Sequence, residues 1–292
     1  MTVSPWILGA RPRTWPNAFA PVIAGTGAAF FIHGAHWGRA LLALIVAWAL
    51  IIGVNYSNDY SDGIRGTDED RSGPLRLTGS GLVSPPAVKR AAFLAFGVAA
   101  VAGVALSLLS SPWLILVGAL CILGAWFYTG GSHPYGYHGL GEVSVFLFFG
   151  LVAVLGTQFT QAGRVSVEGV LLAVGVGAIS SAVNLANNLR DIPSDSAAGK
   201  TTLAVILGDA RTRQVLIALG LLALLMSLLL AVLSTPWALL GALYLPIILS
   251  ALRPVRQGAT GTELIPLIGS IGKSLLLWSI LSTIGLVCGV MI

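Results

Sequence analysis

Residues 41–62 read Leu-Leu-Ala-Leu-Ile-Val-Ala-Trp-Ala-Leu-Ile-Ile-Gly-Val-Asn-Tyr-Ser-Asn-Asp-Tyr-Ser-Asp. The stretch begins as an uncharged apolar run and ends in Asn55, Asn58, Asp59 and Asp62. Those four polar residues fall at i, i+3, i+4 and i+7, the spacing that lines up one stripe of an α-helix. A helix built this way crosses hydrocarbon over most of its length and delivers amides and carboxylates to one membrane surface. A soluble helix of the same length would need polar residues along its whole outer face.

The same pattern recurs at Asn184-Leu-Ala-Asn187-Asn188-Leu-Arg-Asp191, followed by Asp195. Both copies read N-x-x-N-[DN]-x-x-D. An internal duplication, helices one to four and five to eight with a ninth added, accounts for their placement; repeats of this kind recur in membrane folds.

Outward from these stripes, apolar stretches near 20 residues long, enough to span a bilayer, occupy 15–33, 38–57, 91–110, 112–129, 143–162, 168–188, 214–233, 235–252 and 268–291. The expected fold is therefore all-α and integral to the membrane, with about nine transmembrane helices. They would form two four-helix groups plus one, around a central cavity open to the cytoplasmic side. Residues 1–292 are expected to make a single transmembrane domain. Pro246 predicts a kink in the eighth span, since proline breaks the helical hydrogen-bond ladder.

Composition agrees. Hydrophobic residues make up 56% of the chain and charged residues 9%, against about 25% charged in ordinary soluble domains. Glycine supplies 36 of 292 residues, and small residues let membrane helices pack closely.

Threading nine helices with the N terminus in the cytoplasm puts fourteen of the sixteen Lys and Arg inside, and only Arg39 and Arg164 outside. That is the positive-inside distribution, and it gives an N-in, C-out chain. It also accounts for the net charge of +5 without a nucleic-acid partner. Ten of the eleven acids, all but Glu168, share the inner side. Insertion is largely indifferent to acids, so their gathering points to a functional face. Arg11 and Arg13 precede an apolar run with no clean cleavage site after it, so that run reads as a retained first helix. The location expected is the inner (plasma) membrane, multi-pass, with the active site facing the cytoplasm.

Clustered carboxylates repel one another and are costly near hydrocarbon; cations among them remove both penalties. Asp and Asn offer hard oxygens that suit Mg²⁺ rather than zinc or copper, and Mg²⁺ commonly completes its shell with water and substrate phosphate. Basic residues flank both stripes: Arg65, Arg71 and Arg76 after the first, Arg190 and Lys200 around the second. Arginine can grip phosphate oxygens in bidentate fashion, and lysine acts as a point charge. Two acidic helix ends with such neighbours make a diphosphate clamp. The plainer alternatives are polar glue between helices, or an ion path as in a transporter. The run from Asp195 to Thr202 resembles a phosphate loop, but Ser194 stands where glycine is required and no strand precedes it.

A third polar segment, Tyr128 to Glu142, is rich in glycine and aromatic residues and has no Lys or Arg. Tyr128, Tyr137, His138 and Glu142 are its candidates for holding a flat phenolic substrate, Glu142 being equally suited to balance a helix dipole. His133 and His138 lack a third metal ligand and read as pocket lining or plain loop. Cys121 and Cys288 sit in apolar runs as inert thiols.

Several motifs in order resemble the UbiA superfamily of intramembrane prenyltransferases over essentially the whole chain. They are Arg11-Pro-Arg-Thr-Trp-Pro-Asn17 through Thr26; Asn58 to Asp62 with Gly66-Thr-Asp68 and Arg71 to Arg76; Tyr128-Thr-Gly-Gly131 through Glu142; and Arg190 to Asp195 with Gly199-Lys200. Gly66 stands where the general pattern has another Asp, and Asp68 follows two residues later, which is similar to the branch acting on 1,4-dihydroxy-2-naphthoate. The resemblance implies Mg²⁺-dependent transfer of a polyprenyl group from polyprenyl diphosphate to that ring, with loss of CO₂ and diphosphate, toward menaquinone. It implies Asn58, Asp62, Asp191 and Asp195 as the core metal set, supported by Asp59 and Asn188, with Arg65, Arg71, Arg190 and Lys200 on the diphosphate. The catalytic group would be Asp62, Asp191, Asp195 and Lys200. A phosphotransferase acting on CDP-alcohols also uses Asp and Mg²⁺, but its acids lie in one continuous segment.

Overall fold

A computed structural model describes residues 4–66 and 76–292; the Arg71 and Asp68 assignments lie outside the described residues. A short helix α1 (Pro5–Ala10) leads into α2 (Pro16–Phe31) and the long α3 (Trp37–Ile64). Next come α4 (Pro85–Ser110), α5 (Leu114–Phe127), α6 (Gly141–Ala162) and α7 (Val167–Arg190). The short α8 (Ile192–Ala197) is followed by α9 (Leu203–Leu233), α10 (Pro236–Arg256) and α11 (Gly261–Met291). No strand occurs among the described residues beyond one isolated bridge between His138 and Thr201.

All nine expected spans fall on helices, but they are not equally long. Seven of the described helices are long and apolar enough to cross a membrane. The other two, α2 and α5, have 16 and 14 residues. At 1.5 Å per residue α5 reaches about 21 Å, short of the roughly 30 Å hydrocarbon core. Pro12 and Pro16 start new helical segments at the head of α2, and Pro112 sits just ahead of α5.

Exposed side chains on the outer helices are apolar: Leu94, Val101, Leu116 and Val232 are examples. Water would penalise such a surface and lipid accepts it. The chain is a multi-pass membrane protein.

At the centre lies α7, whose buried residues include Leu172, Val176, Ile179, Ala182 and Leu185. Two glycines let neighbours touch its backbone. A Cβ at Gly175 would sit 2.2 Å from the Trp278 ring of α11, and one at Gly150 would sit 2.6 Å from the Gly177 Cα. Around this axis α9 and α11 pack on α7, while α3 pairs with α4 in a second layer. The middle of α6, Phe146–Leu155, is wound as a π-helix, a form that concentrates at functional sites.

Pro246 falls at the junction of two segments of α10, a 3₁₀ stretch Pro236–Tyr244 and an α-helix Leu245–Arg256. The missing proline amide thus sits in the first turn, where it costs least. In α9 the break is at Gly208, with φ 73° and ψ 169°, a backbone shape open to glycine.

Polar groups collect at two ends. At one, Arg39 donates to the Thr160 carbonyl at 3.0 Å and Ser234 to Glu168 at 2.8 Å. The other end holds the C-termini of α3 and α7, the Tyr128–Leu140 segment and α8.

Candidate active site

The helical stripe of α3 divides its labour residue by residue. Asn55, the deepest, donates to the Ala10 carbonyl and to Thr14 Oγ1, both at 3.0 Å, and so ties α3 to the N-terminal segment. Asn58 accepts from Thr129 Oγ1 at 2.8 Å. Asp62 accepts from the Tyr137 hydroxyl at 2.7 Å and faces the Arg76 guanidinium at 3.7 Å.

Asp59 does something else. Its two oxygens accept from the backbone amides of Leu77 and Thr78, both at 2.8 Å, and the residue is fully buried. That carboxylate anchors the chain returning from the 67–75 segment, rather than facing the cavity with Asn58.

At the C-terminal cap of α7, Asp191 is gripped through both oxygens by its neighbour Arg190, at 2.7 and 2.6 Å. Asp195, on α8, faces Lys200 at 3.6 Å, and the Lys200 amide donates to the Asp195 carbonyl at 2.8 Å. The turn that resembled a phosphate loop is thus the end of a short helix closing on itself.

One tyrosine joins the two stripes. While its hydroxyl meets Asp62, the Tyr137 ring also carries two cations, Lys200 at 4.9 Å from the centroid and Arg65 at 5.5 Å. The Tyr137 carbonyl also accepts from the Thr201 amide at 3.0 Å. Cation–π contact and backbone pairing therefore hold Lys200 over the face of the ring whose hydroxyl meets Asp62. Arg65 additionally donates to the carbonyls of Thr129 and Gly131.

The remaining loop candidates separate. Tyr128 donates to Asn184 Oδ1 at 3.4 Å and lines the cavity described below. His138 is exposed and contributes backbone pairing with Thr201; His133 is exposed too. Tyr135, outside the membrane helices, donates to the Gly124 carbonyl at 2.7 Å, and burial pushes its phenol up to about 12. Glu142 is buried at the start of α6 and accepts from Asn184 and Asn188; it does not line the cavity. Cys121 and Cys288 are free thiols, half-buried rather than buried.

That cavity, about 430 Å³, runs between α2, α3, α4, α5, α6 and α7. Its polar head is formed by Arg11, Asn55, Asn58, Tyr128, Asn184 and Asn187. Its body is apolar, reaching along α3 from Asn58 to Ala43, about 22 Å at the helical rise. Arg11, Thr14 and Asn17, which belong to the first motif of the resemblance, line the cavity without being among the expected site residues. Their signal is a polar i, i+3, i+6 series heading the first apolar run, with Arg11 in a left-handed conformation at φ 50°, uncommon for a residue other than glycine.

Among the described residues no three His, Cys, Asp or Glu side chains form a preformed metal cage. The donor set nevertheless fits a hard divalent cation: carboxylates from α3, α7 and α8 with amide oxygens one turn inward. Such a cation takes one or two protein carboxylates and fills its shell with water and phosphate. Asp62, Asp191 and Asp195 face Arg76, Arg190 and Lys200 respectively, which relieves the acids' mutual repulsion.

An apolar bundle with paired acid–amide helix ends at the head of a lipid-sized cavity defines a membrane enzyme that handles a lipid carrying phosphate. Residues 18–262 match the UbiA prenyltransferase family model, and the chain belongs to that family. It is 58% identical over 275 residues to the 1,4-dihydroxy-2-naphthoate octaprenyltransferase of Mycobacterium tuberculosis, covering 94% of each chain. The protein of that name from Escherichia coli is 36% identical over 290 residues, covering 96% of this chain and 94% of its own. Among solved structures, the apo UbiA homolog from Aeropyrum pernix K1 superposes with a TM-score of 0.69 at 17% identity, covering 89% of this chain and 94% of its own. A UbiA homolog from Archaeoglobus fulgidus bound to GPP and Mg²⁺ gives 0.61 at 15% identity, covering 94% and 99%. These two share the fold.

Proposed function

We propose that the chain transfers a polyprenyl group from polyprenyl diphosphate to 1,4-dihydroxy-2-naphthoate, releasing diphosphate and CO₂, at the cytoplasmic face of the inner (plasma) membrane. In this reading nine helices cross or enter the bilayer, N-in and C-out. The observation that carries the reaction class is the cavity: an apolar body whose head is built from Asn58 of one stripe and Asn184 and Asn187 of the other. A prenyl chain fits the body, and its diphosphate reaches the carboxylates one turn beyond. The naphthoate acceptor is supported by relatives of that name at 58% and 36% identity.

Asp62, Asp191 and Asp195 would hold Mg²⁺, with Asn58 and Asn188 supporting; Asp59 leaves that set because its oxygens serve Leu77 and Thr78. Bound Mg²⁺ would neutralise charge developing on the departing diphosphate. Lys200, Arg190 and Arg76 lie beside those carboxylates and would turn to phosphate oxygens. Arg65 keeps its hold on the 129–131 carbonyls and acts through Tyr137. The allylic C–O bond breaks with its electron pair leaving on diphosphate. The electron-rich ring then forms the new C–C bond, and loss of its carboxyl as CO₂ restores aromaticity. Such preorganised stabilisation of developing charge is the main catalytic device available to the site.

The test is mass spectrometry of the product formed in detergent from a polyprenyl diphosphate and competing aromatic acids. The naphthoate should be prenylated and its product should lack the carboxyl group, lost as CO₂. A product built only on another acceptor overturns the acceptor, and no prenylated product with Mg²⁺ present overturns the reaction.

A further inference from the structure

Glu142 is buried, and its carboxylate does unequal work. Oε1 accepts from Asn188 Nδ2 at 2.7 Å and from Asn184 Nδ2 at 3.1 Å. Oε2 is shut off from solvent and has no hydrogen-bond partner among the described residues. Leaving a buried oxygen unmatched costs about 1–3 kcal/mol, so the residue is kept for what Oε1 does.

An amide side chain can present either its oxygen or its nitrogen, and the two look alike in shape. An acceptor at Oε1 removes the choice. With both nitrogens turned toward Glu142, both carbonyl oxygens must turn away from it. For Asn184 that oxygen meets the Tyr128 hydroxyl at the cavity head. For Asn188, one turn before Asp191 on the same stripe, it is a hard oxygen held in a single orientation.

The seat for Glu142 is also built. Ser181 Oγ donates to the Glu142 carbonyl at 2.9 Å. At Gly141 a Cβ would lie 3.1 Å from both Asn184 Nδ2 and the Tyr128 hydroxyl, so a larger residue there would press on the two side chains that Glu142 arranges.

We infer that Glu142 is a positioning residue that locks the amides of Asn184 and Asn188 with their carbonyl oxygens facing away from it, toward the metal–diphosphate side of the site. It rests on the proposed metal-dependent reading, and it replaces the aromatic-substrate role expected for Glu142. What matters in this assignment is an acceptor atom at the position of Oε1. Glu142→Gln keeps that acceptor. Glu142→Ala deletes it, and Glu142→Asp withdraws it by one methylene.

The experiment measures Mn²⁺ binding by electron paramagnetic resonance to detergent-purified protein, with an unreactive thiodiphosphate analogue of geranyl diphosphate present. KM and kcat for the diphosphate are followed alongside. Partners that orient metal ligands typically contribute 10–100-fold in affinity, so E142A and E142D should weaken Mn²⁺ binding by about tenfold or more. E142Q should recover most of the loss, and KM should move more than kcat at saturating metal. Unchanged Mn²⁺ binding in E142A or E142D overturns the proposal. So does E142Q binding as poorly as E142A, which would make the carboxylate itself a ligand. If E142A does not survive extraction, E142D and E142Q carry the decision. Wild-type protein that binds no Mn²⁺ overturns the metal reading as well, whereas wild-type binding with E142D unaffected removes only Glu142.

Discussion

The Tyr137 hydroxyl donates to Asp62 at 2.7 Å while Lys200 sits 4.9 Å over the same ring. Asp62 belongs to the first acidic stripe, and Lys200 pairs with Asp195 just after the second. One side chain from the intervening loop therefore sets the separation of the two half-sites.

Tyr137→Ala removes both the hydrogen bond and the ring. We expect KM for the prenyl diphosphate to rise by about tenfold, since one or two cation–π contacts near 1 kcal/mol each are lost with the positioning of Lys200. Tyr137→Phe keeps the ring, so its KM should stay within about threefold of wild type. Equal KM values for the two variants would show that the ring does not position Lys200. Steady-state kinetics over a diphosphate titration separates the outcomes.

Asp59 and Asp62 are one turn apart on the same helix, yet their substitutions should fail differently. Asp59→Ala strips acceptors from the buried Leu77 amide and the part-buried Thr78 amide and should cost about 2–4 kcal/mol of stability. Its signature is a lowered melting temperature in detergent, with Mn²⁺ affinity of the surviving folded fraction close to wild type. A full-strength melting curve combined with lost Mn²⁺ binding would return Asp59 to the metal set.

Helical periodicity makes the two stripes legible because i, i+3, i+4, i+7 is a property of a single helix. It also explains why Asp59 was grouped with Asp62: the period gives a shared face, and nothing in it shows which residue the returning chain at Leu77 will reach. Glu142 was harder to read. Its partners lie 42 and 46 residues away, and only the packing of α6 on α7 brings them into range. The spans were visible from hydropathy, whereas the shortness of α5 depends on where Pro112 and Phe127 stop the helix. Arg11 was read as topological charge, since a cation before a first span is what insertion alone would place there. The cavity it lines exists only once α2 and α3 are packed.

Asp62→Ala and Asp191→Ala should lower kcat by at least about a hundredfold, the scale of losing one preorganised stabiliser of transition-state charge. Both proteins should remain in the membrane fraction, because each acid lies at a helix end rather than within an apolar run. Arg190 complicates the second case. Without Asp191 its buried guanidinium loses two short hydrogen bonds, so Asp191→Ala should also melt lower than Asp62→Ala. Substantial turnover in either variant, assayed with radiolabelled prenyl diphosphate, contradicts the metal assignment.

Chelation by EDTA should abolish turnover, and added Mg²⁺ or Mn²⁺ should restore it, because both ions accept oxygen ligands. Asp62 pairs with Arg76, Asp191 with Arg190 and Asp195 with Lys200, so each acid has a cation of the protein's own beside it. The chelated protein should therefore keep its fold, with a melting temperature within a few degrees of the untreated sample. Activity that survives EDTA rules out the divalent-ion requirement, and collapse of the fold under EDTA would show that these ion pairs do not by themselves hold the acids together.

The apolar body of the cavity offers a separate test of where the lipid lies. Ala47 lines it on α3, about three helical turns below the polar head at Asn58. Ala47→Phe would fill that depth without touching Asp62, Asp191 or Asp195. A short allylic diphosphate ends above the obstruction, while a long chain must pass it. Overpacking of this kind costs about 1–3 kcal/mol where the larger group meets packed atoms. The specificity constant for a long polyprenyl diphosphate should accordingly fall by about tenfold or more. That for a dimethylallyl or geranyl substrate should change by less than about threefold. Equal losses for short and long donors would mean that the chain leaves the site by another path.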